Sequence, residues 1–192
     1  MPKKIEIPKG YTASGKDIKD IIAPAGLEVN AGYLKLGEKY VKTFFLFTYP
    51  RYLTSGWFSP IINLAEVLDI AVHIHPIDTA LALRNLRKKT AQIQAQIMVR
   101  EEKGLVRDPM LETAYQDVEN LRDALQQAQE KLFEVGIYIT IYGSDPKELA
   151  RLENLIVSLL ESKLVYIKPA LFQQLEAFSS VLPLGADKIA IR

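Results

Sequence analysis

Leu111, Ala114, Val118, Leu121, Leu125, Ala128 and Leu132 follow one another at alternating steps of three and four residues. Leu83, Leu86, Thr90, Ile93 and Ile97 do the same upstream. That spacing keeps a narrow apolar stripe on one side of a helix, the seam of a coiled coil. Two such stripes joined only by Gly104 to Arg107 predict an antiparallel hairpin, because so short a link returns the second helix beside the first. The punctuation agrees. Asp78 or Thr79 can cap the first helix, which is expected to reach about Lys103, and Gly104 stops it. Asp108-Pro109 opens the second helix, which is expected to reach about Glu134. From Asp78 to Lys103 six basic residues stand against three acidic ones, whereas Asp108 to Glu134 carries two basic and seven acidic. The arms should therefore attract each other, with exposed pairs worth only about 0.2–1 kcal/mol each. At helical rise the hairpin would extend roughly 37 Å, so part of it is expected to project.

Outside the hairpin the pattern shifts toward strands. Lys39 to Thr48 contains the continuous apolar run Phe44-Phe45-Leu46-Phe47, suited to burial on both faces of a sheet. A weaker strand is expected around Tyr33 to Leu36, a short helix over Ile61 to Val67, and a strand over Leu68 to His75 that Pro76 stops. Val135 to Tyr142 reads as a strand, Gly143 to Pro146 as a turn and cap, Lys147 to Ser162 as a helix, and Lys163 to Lys168 as a strand. Ala170 to Ala177 fits a short helix, and Asp187 to Arg192 alternates like a strand cut short. Without the hairpin the order is strand, helix, strand, strand, helix, strand. The predicted fold class is therefore α+β: an antiparallel, ferredoxin-like sheet with a long antiparallel helical (coiled-coil) hairpin inserted at 78–134. Residues 1–30, broken by Pro2, Pro8, Gly10, Gly15, Pro24 and Gly26, are expected to be a flexible lead-in to a single domain over 31–192.

Composition narrows the function. The 192 residues hold 24 Lys and Arg against 23 Asp and Glu, a net charge of +1, so no bulk electrostatic drive toward nucleic acid or anionic lipid exists. The absence of Cys removes disulfides, thiolate metal sites and thiol nucleophiles together. No apolar run approaches the length of a membrane helix, and Met1 to Gly10 lacks the apolar stretch of a signal peptide.

Four groups of residues invite a chemical reading. Gly10 to Asp17 matches G-x-x-x-x-G-K, but Asp17 stands where a phosphate loop needs the hydroxyl that holds Mg²⁺, so Gly15-Lys16 reads as a chance pair in a glycine-rich lead-in. His73 and His75 share one side of a strand, with Asp78 close in sequence. Two imidazoles without a third strong ligand are a weak metal site, and polar positions on a solvent-facing strand are the simpler reading. Arg84, Arg87, Lys88 and Lys89 lie outside the helical seam with no aromatic platform among them, which favours a solvated or intra-hairpin role over phosphate contact. Seven of the 17 aromatics fall between Phe44 and Phe58. Phe44 to Phe47 read as core, whereas Tyr52, Trp57 and Phe58 lie in a turn-rich segment where core packing competes with an apolar docking patch. No catalytic constellation, cofactor site or metal site is expected.

Several blocks together resemble a known family. They are Ile21 to Pro24, Tyr49 to Leu53 with Gly56 to Pro60, His75 to Thr79, Arg100 to Pro109, Tyr138 to Tyr142, Tyr166 to Gln174 and Leu182 to Gly185. In order and spacing they resemble the N-terminal region of the conjugation ATPases of type IV secretion systems, the VirB-type proteins of the TraC, TrbE and CagE kinds. The likeness covers about Ile18 to Arg192. It implies a non-enzymatic assembly domain, with a C-terminal motor of the same protein carrying the ATP and Mg²⁺ chemistry. Expected partners are that motor, small inner-membrane secretion subunits, other secretion components and a possible second copy, with no direct nucleic acid contact. The implied location is cytoplasmic, held at the inner face of the membrane through partners. Tyr52, Trp57, Phe58 and the hairpin tip Gly104, Leu105, Val106 and Arg107 are the expected contact residues. A stand-alone nucleotide- or nucleic-acid-binding protein using Lys16 or the Arg84 to Lys89 cluster, and a coiled-coil adaptor, are the alternatives.

Overall fold

In the computed structural model, which describes residues 26–189, the chain is a mixed α and β protein. Among the described residues six strands form one antiparallel sheet, accompanied by five helices. The strands are β1 (Leu27–Val29), β2 (Leu34–Leu36), β3 (Lys39–Thr48), β4 (Leu68–Pro76), β5 (Phe133–Gly143) and β6 (Tyr166–Pro169). The helices are α1 (Ser59–Ile62), α2 (Thr79–Glu102), α3 (Pro109–Gln126), α4 (Pro146–Glu161) and α5 (Gln174–Val181). Strand order is β1-β2-β3-β5-β4, with β6 also paired to β3. Along one edge of β3, the first half pairs with β2 (Leu34 opposite Val41) and the second half with β6 (Leu46 opposite Ile167). The chain divides into two compact units, one of residues 26–73 and 136–189 among those described, the other of residues 74–135.

The first unit builds a core on each face of its sheet. Alternation sends Ile137, Ile139 and Ile141 of β5, with Phe44 and Leu46 of β3, to one face, where Leu149, Leu152, Ile156 and Leu160 of α4 cover them. α4 can form there because Asp145 caps it, accepting from Lys147 N–H at 2.7 Å and Glu148 N–H at 2.9 Å, with Pro146 at the first helical position. Tyr138 of β5 turns to the opposite face, where it joins Ala170, Ala177 and Ile189. On that face the Gln174 side chain, almost fully buried, treats β3 as a neighbouring strand would. Thr43 N–H donates to its Oε1 at 2.8 Å, and its Nε2 donates to the Thr43 carbonyl at 3.1 Å. The buried hydroxyls of Thr43 and Thr140 satisfy each other at 2.8 Å.

In the second unit α2 and α3 pack against each other. Thr90 and Ile93 of α2 and Leu125 of α3 are buried, and Leu83, Leu86, Ile97, Leu111, Val118 and Leu121 are half-buried, as their spacing predicts. Asp78 caps α2 by accepting from Leu81 N–H at 2.9 Å, and Asp108 caps α3 by accepting from Met110 N–H at 3.0 Å. Gly104, at φ +64°, lets Leu105 N–H turn back to the Arg100 carbonyl at 3.0 Å and close α2.

Several boundaries depart from the sequence reading. α3 ends at Gln126 rather than near Glu134: Ala128 turns to φ 55° and Gln129 N–H closes onto the Ala124 carbonyl. Ala128 and Leu132 therefore leave the helical seam although their spacing continues it. Phe47 is half exposed and not core; it sits at an irregularity in the β3–β6 pairing, between Leu46 opposite Ile167 and Thr48 opposite Tyr166. α1 stops at Ile62, β6 begins only at Tyr166, and α5 starts at Gln174, later than the expected Ala170. Asp187 to Ile189 are not strand, and the rest of that expected strand lies outside the described residues. β1 falls within the expected lead-in 1–30 and pairs with β2.

Candidate functional site

The three aromatics singled out between the first two long strands separate. Trp57 and Phe58 are half-buried, lie against the core under α4, and pair with ring centroids 4.9 Å apart at 54°. Tyr52 is 75% exposed, with the Arg51 guanidinium 5.2 Å from its ring centre. Turns fix this contrast: Trp57 N–H donates to the Thr54 carbonyl and Ser59 N–H to the Gly56 carbonyl, with Gly56 at φ +73°. Those bonds fold Trp57 and Phe58 inward and leave Tyr52 and Leu53 outside.

Sequence reasoning missed what stands opposite. Pro50, Tyr52, Leu53, Thr54 and Trp57 line a pocket of about 220 Å³ whose far wall is Ser162, Lys163 and Leu164, just past the end of α4. Leu164 is exposed and holds φ +57°. The Val165 N–H bond to the Leu160 carbonyl, 3.1 Å, imposes that conformation as it closes the helix. The sequence reading puts Leu164 inside the strand expected over Lys163 to Lys168, which in fact begins at Tyr166. Nothing local marks a left-handed leucine.

The turn between α2 and α3 presents the other expected contacts. Leu105 and Val106 are exposed, Val106 to 85%. Gly104 and Arg107 are exposed as well, with Arg107 Nε 3.8 Å from Glu112. Arg100 reaches the Val106 carbonyl at 3.4 Å and Asp108 at 4.0 Å, so this apolar tip is tied from within its own unit. Its charges are mixed, since Glu101, Glu102, Asp108 and Glu112 stand among Arg100, Lys103 and Arg107.

His73 and His75 stand two apart on β4, as the sequence predicts, and offer ring nitrogens within 4.8 Å of each other. Asp78 is committed to capping α2. His73 Nε2 lies 2.8 Å from the Ser180 carbonyl, its ring meets Tyr138 edge-on at 5.7 Å, and Asp187 lies within 4.8 Å of it. Asp187 accepts from the Tyr138 hydroxyl at 2.5 Å. Burial first, then the bond and charge of Asp187, push the Tyr138 phenol well above its ordinary range. Tyr142 follows the same logic with Asp69. Neither phenol can serve as a base near neutral pH. Arg84, Arg87, Lys88 and Lys89 are exposed on α2, and Gly15-Lys16 lies outside the described residues.

No helix among the described residues is long and apolar enough to cross a membrane. No protein-family model matches the chain, and no curated protein matches it.

Proposed function

We propose that this chain is the non-catalytic N-terminal docking domain of a type IV secretion ATPase, a component of conjugative DNA transfer, acting through protein contacts at the inner membrane. The observation that carries this reading is the clustering of exposed Tyr52, Leu53 and Leu164 around one small pocket, the arrangement of an apolar docking patch. The sequence blocks given above supply the family. Strand order supports a ferredoxin-like sheet, because β3, β4, β5 and β6 carry the split βαβ order, with β3 and β5 central and β6 and β4 outside them. The mutual packing of α2 and α3, with a glycine turn between them, supports an inserted antiparallel coiled-coil hairpin. ATP and Mg²⁺ belong to a motor domain following in the same protein. Small inner-membrane subunits and that motor are the partners, and the place of work is the cytoplasmic face of the membrane.

The deciding experiment is the mass of the natural gene product, detected in its own cells with an antibody raised to this chain. A product several times 21.6 kDa, recovered with inner-membrane secretion subunits, is the expected result. A product of 21.6 kDa would overturn the reading and favour a stand-alone adaptor.

A further inference from the structure

Two bulky apolar residues near the ends of β6 sit in the left-handed region of backbone space, Leu164 at φ 57° and Phe172 at φ 61°. Both are exposed, Leu164 to 60%. A side chain with a Cβ is strained there, and glycine ordinarily takes a helix-closing position of this kind. Leu164 thus carries two penalties, strained backbone and apolar surface in water, and glycine would relieve both. Strain retained at an exposed position points to a use for the side chain. What Leu164 does is form a wall of the pocket opposite Tyr52, Leu53 and Trp57.

The pocket's size and charge say what fits. At about 220 Å³ it is smaller than the roughly 300–1,000 Å³ of small-molecule sites, and is scaled to one large side chain. The side chains that line it include no Asp or Glu. Lys163 itself lines the pocket. Two of the exposed rings already carry cations: Lys168 Nζ lies 3.5 Å from the Phe47 ring centre, and Arg51 sits beside Tyr52. Rings covered in this way are poor platforms for stacking bases, and a concave pocket suits an inserted side chain better than a flat lipid surface.

We propose that this pocket takes one large apolar side chain from a partner protein segment whose flanking residues are acidic. Such an occupant presupposes the docking role proposed above and specifies its chemistry. The aromatic or aliphatic anchor fills the space between Trp57 and Leu164, while carboxylates beside it meet Lys163 and speed encounter.

The test uses the full chain and three labelled synthetic peptides, read by fluorescence anisotropy. One has a tryptophan flanked by aspartates, one replaces that tryptophan by alanine, and one replaces the aspartates by lysines. The first should bind saturably and weaken as salt rises, and each of the other two should bind at least about tenfold more weakly. Leu164→Gly should cost the first peptide about tenfold while leaving the melting temperature unchanged or raised, which separates loss of the anchor wall from loss of the fold. Lys163→Glu should weaken the same peptide by a similar factor. Absence of binding by the aspartate-flanked tryptophan peptide, equal binding of all three, or wild-type affinity in Leu164→Gly would each overturn the proposal. So would capture of oligothymidylate or phosphatidylglycerol vesicles, or self-association, that depends on Leu164 while the peptide does not bind. The peptide result is independent of the size of the gene product, so failure here and failure of the secretion reading are distinguishable.

Discussion

Replacing Gln174 by leucine tests whether a single buried amide side chain serves as a strand partner for β3. In the native protein Thr43 N–H has Gln174 Oε1 as its acceptor at 2.8 Å, and the Thr43 carbonyl receives both Gln174 Nε2 and Ala170 N–H, each at 3.1 Å. Gln174→Leu keeps nearly the same volume, so cavity terms stay small. It strands the Thr43 N–H, however, in a region where Thr43 is completely buried. A buried amide left without a partner costs about 1–3 kcal/mol, while the carbonyl keeps one donor and adds little. The expected loss is therefore about 2 kcal/mol for leucine. Gln174→Ala should lose roughly 1–2 kcal/mol more, because it also removes buried methylenes and leaves a void. Urea unfolding followed by circular dichroism gives both values from the midpoint shift, provided the slope is unchanged. Hydrogen exchange at the Thr43 amide supplies the local readout and should accelerate in both variants. Stability within about 0.5 kcal/mol of wild type, with Thr43 still protected, would refute the assignment of Gln174 as a backbone surrogate.

Trp57→Ala should lower stability by about 1–3 kcal/mol, since its half-buried ring packs on Phe58 and the core under α4; a wild-type urea midpoint would return Trp57 to the surface. Gly143→Ala should destabilise more than Gly104→Ala. A Cβ at Gly143 would meet the Leu149 backbone nitrogen at 3.1 Å and the Asp145 carbonyl at 3.2 Å, at a cost of about 1–3 kcal/mol. At Gly104 the new Cβ meets nothing, and only the left-handed backbone is penalised, by about 1 kcal/mol. The carboxyl of Asp145 is held below its ordinary range by the Glu148 and Lys147 backbone amides, and that of Glu148 by Ser144. A depressed folded pKa contributes stability that is present above the unfolded carboxyl range and lost as pH falls through the folded value. The urea midpoint should therefore drop on acidification below about pH 4, and less steeply in Asp145→Asn; equal slopes would refute the cap as the cause.

The elements that sequence shows best are those whose signal is local. The three-and-four spacing places α2, and the cap-then-proline pairs at Asp108-Pro109 and Asp145-Pro146 place the starts of α3 and α4 within a residue. The end of α3 is not legible, because apolar spacing at Ala128 and Leu132 continues after Ala128 has turned left-handed. Phe47 looks like its neighbours Phe44 and Phe45, yet it stands where the pairing of β3 with β6 shifts register, and that is a fact about another element. At the candidate site Tyr52 was visible as a loop aromatic, but Trp57 and Phe58 fold inward under turn bonds that no composition reveals. Leu164 and Lys163, more than a hundred residues away, join Tyr52 only through the placement of α4 against the sheet.

The insertion between β4 and β5 has its ends fastened to each other: Ile77 N–H donates to the Leu132 carbonyl at 3.0 Å. To a polymer physicist the long excursion from 77 to 132 therefore has almost no end-to-end distance, and to the flanking strands it is equivalent to a tight turn. Loop closure rises only logarithmically with length, by about 0.6 kcal/mol per doubling, and that cost shrinks further if α2 and α3 associate first through near-neighbour contacts. Residues added within the excursion should then leave its two ends, Ile77 and Leu132, fastened as they are.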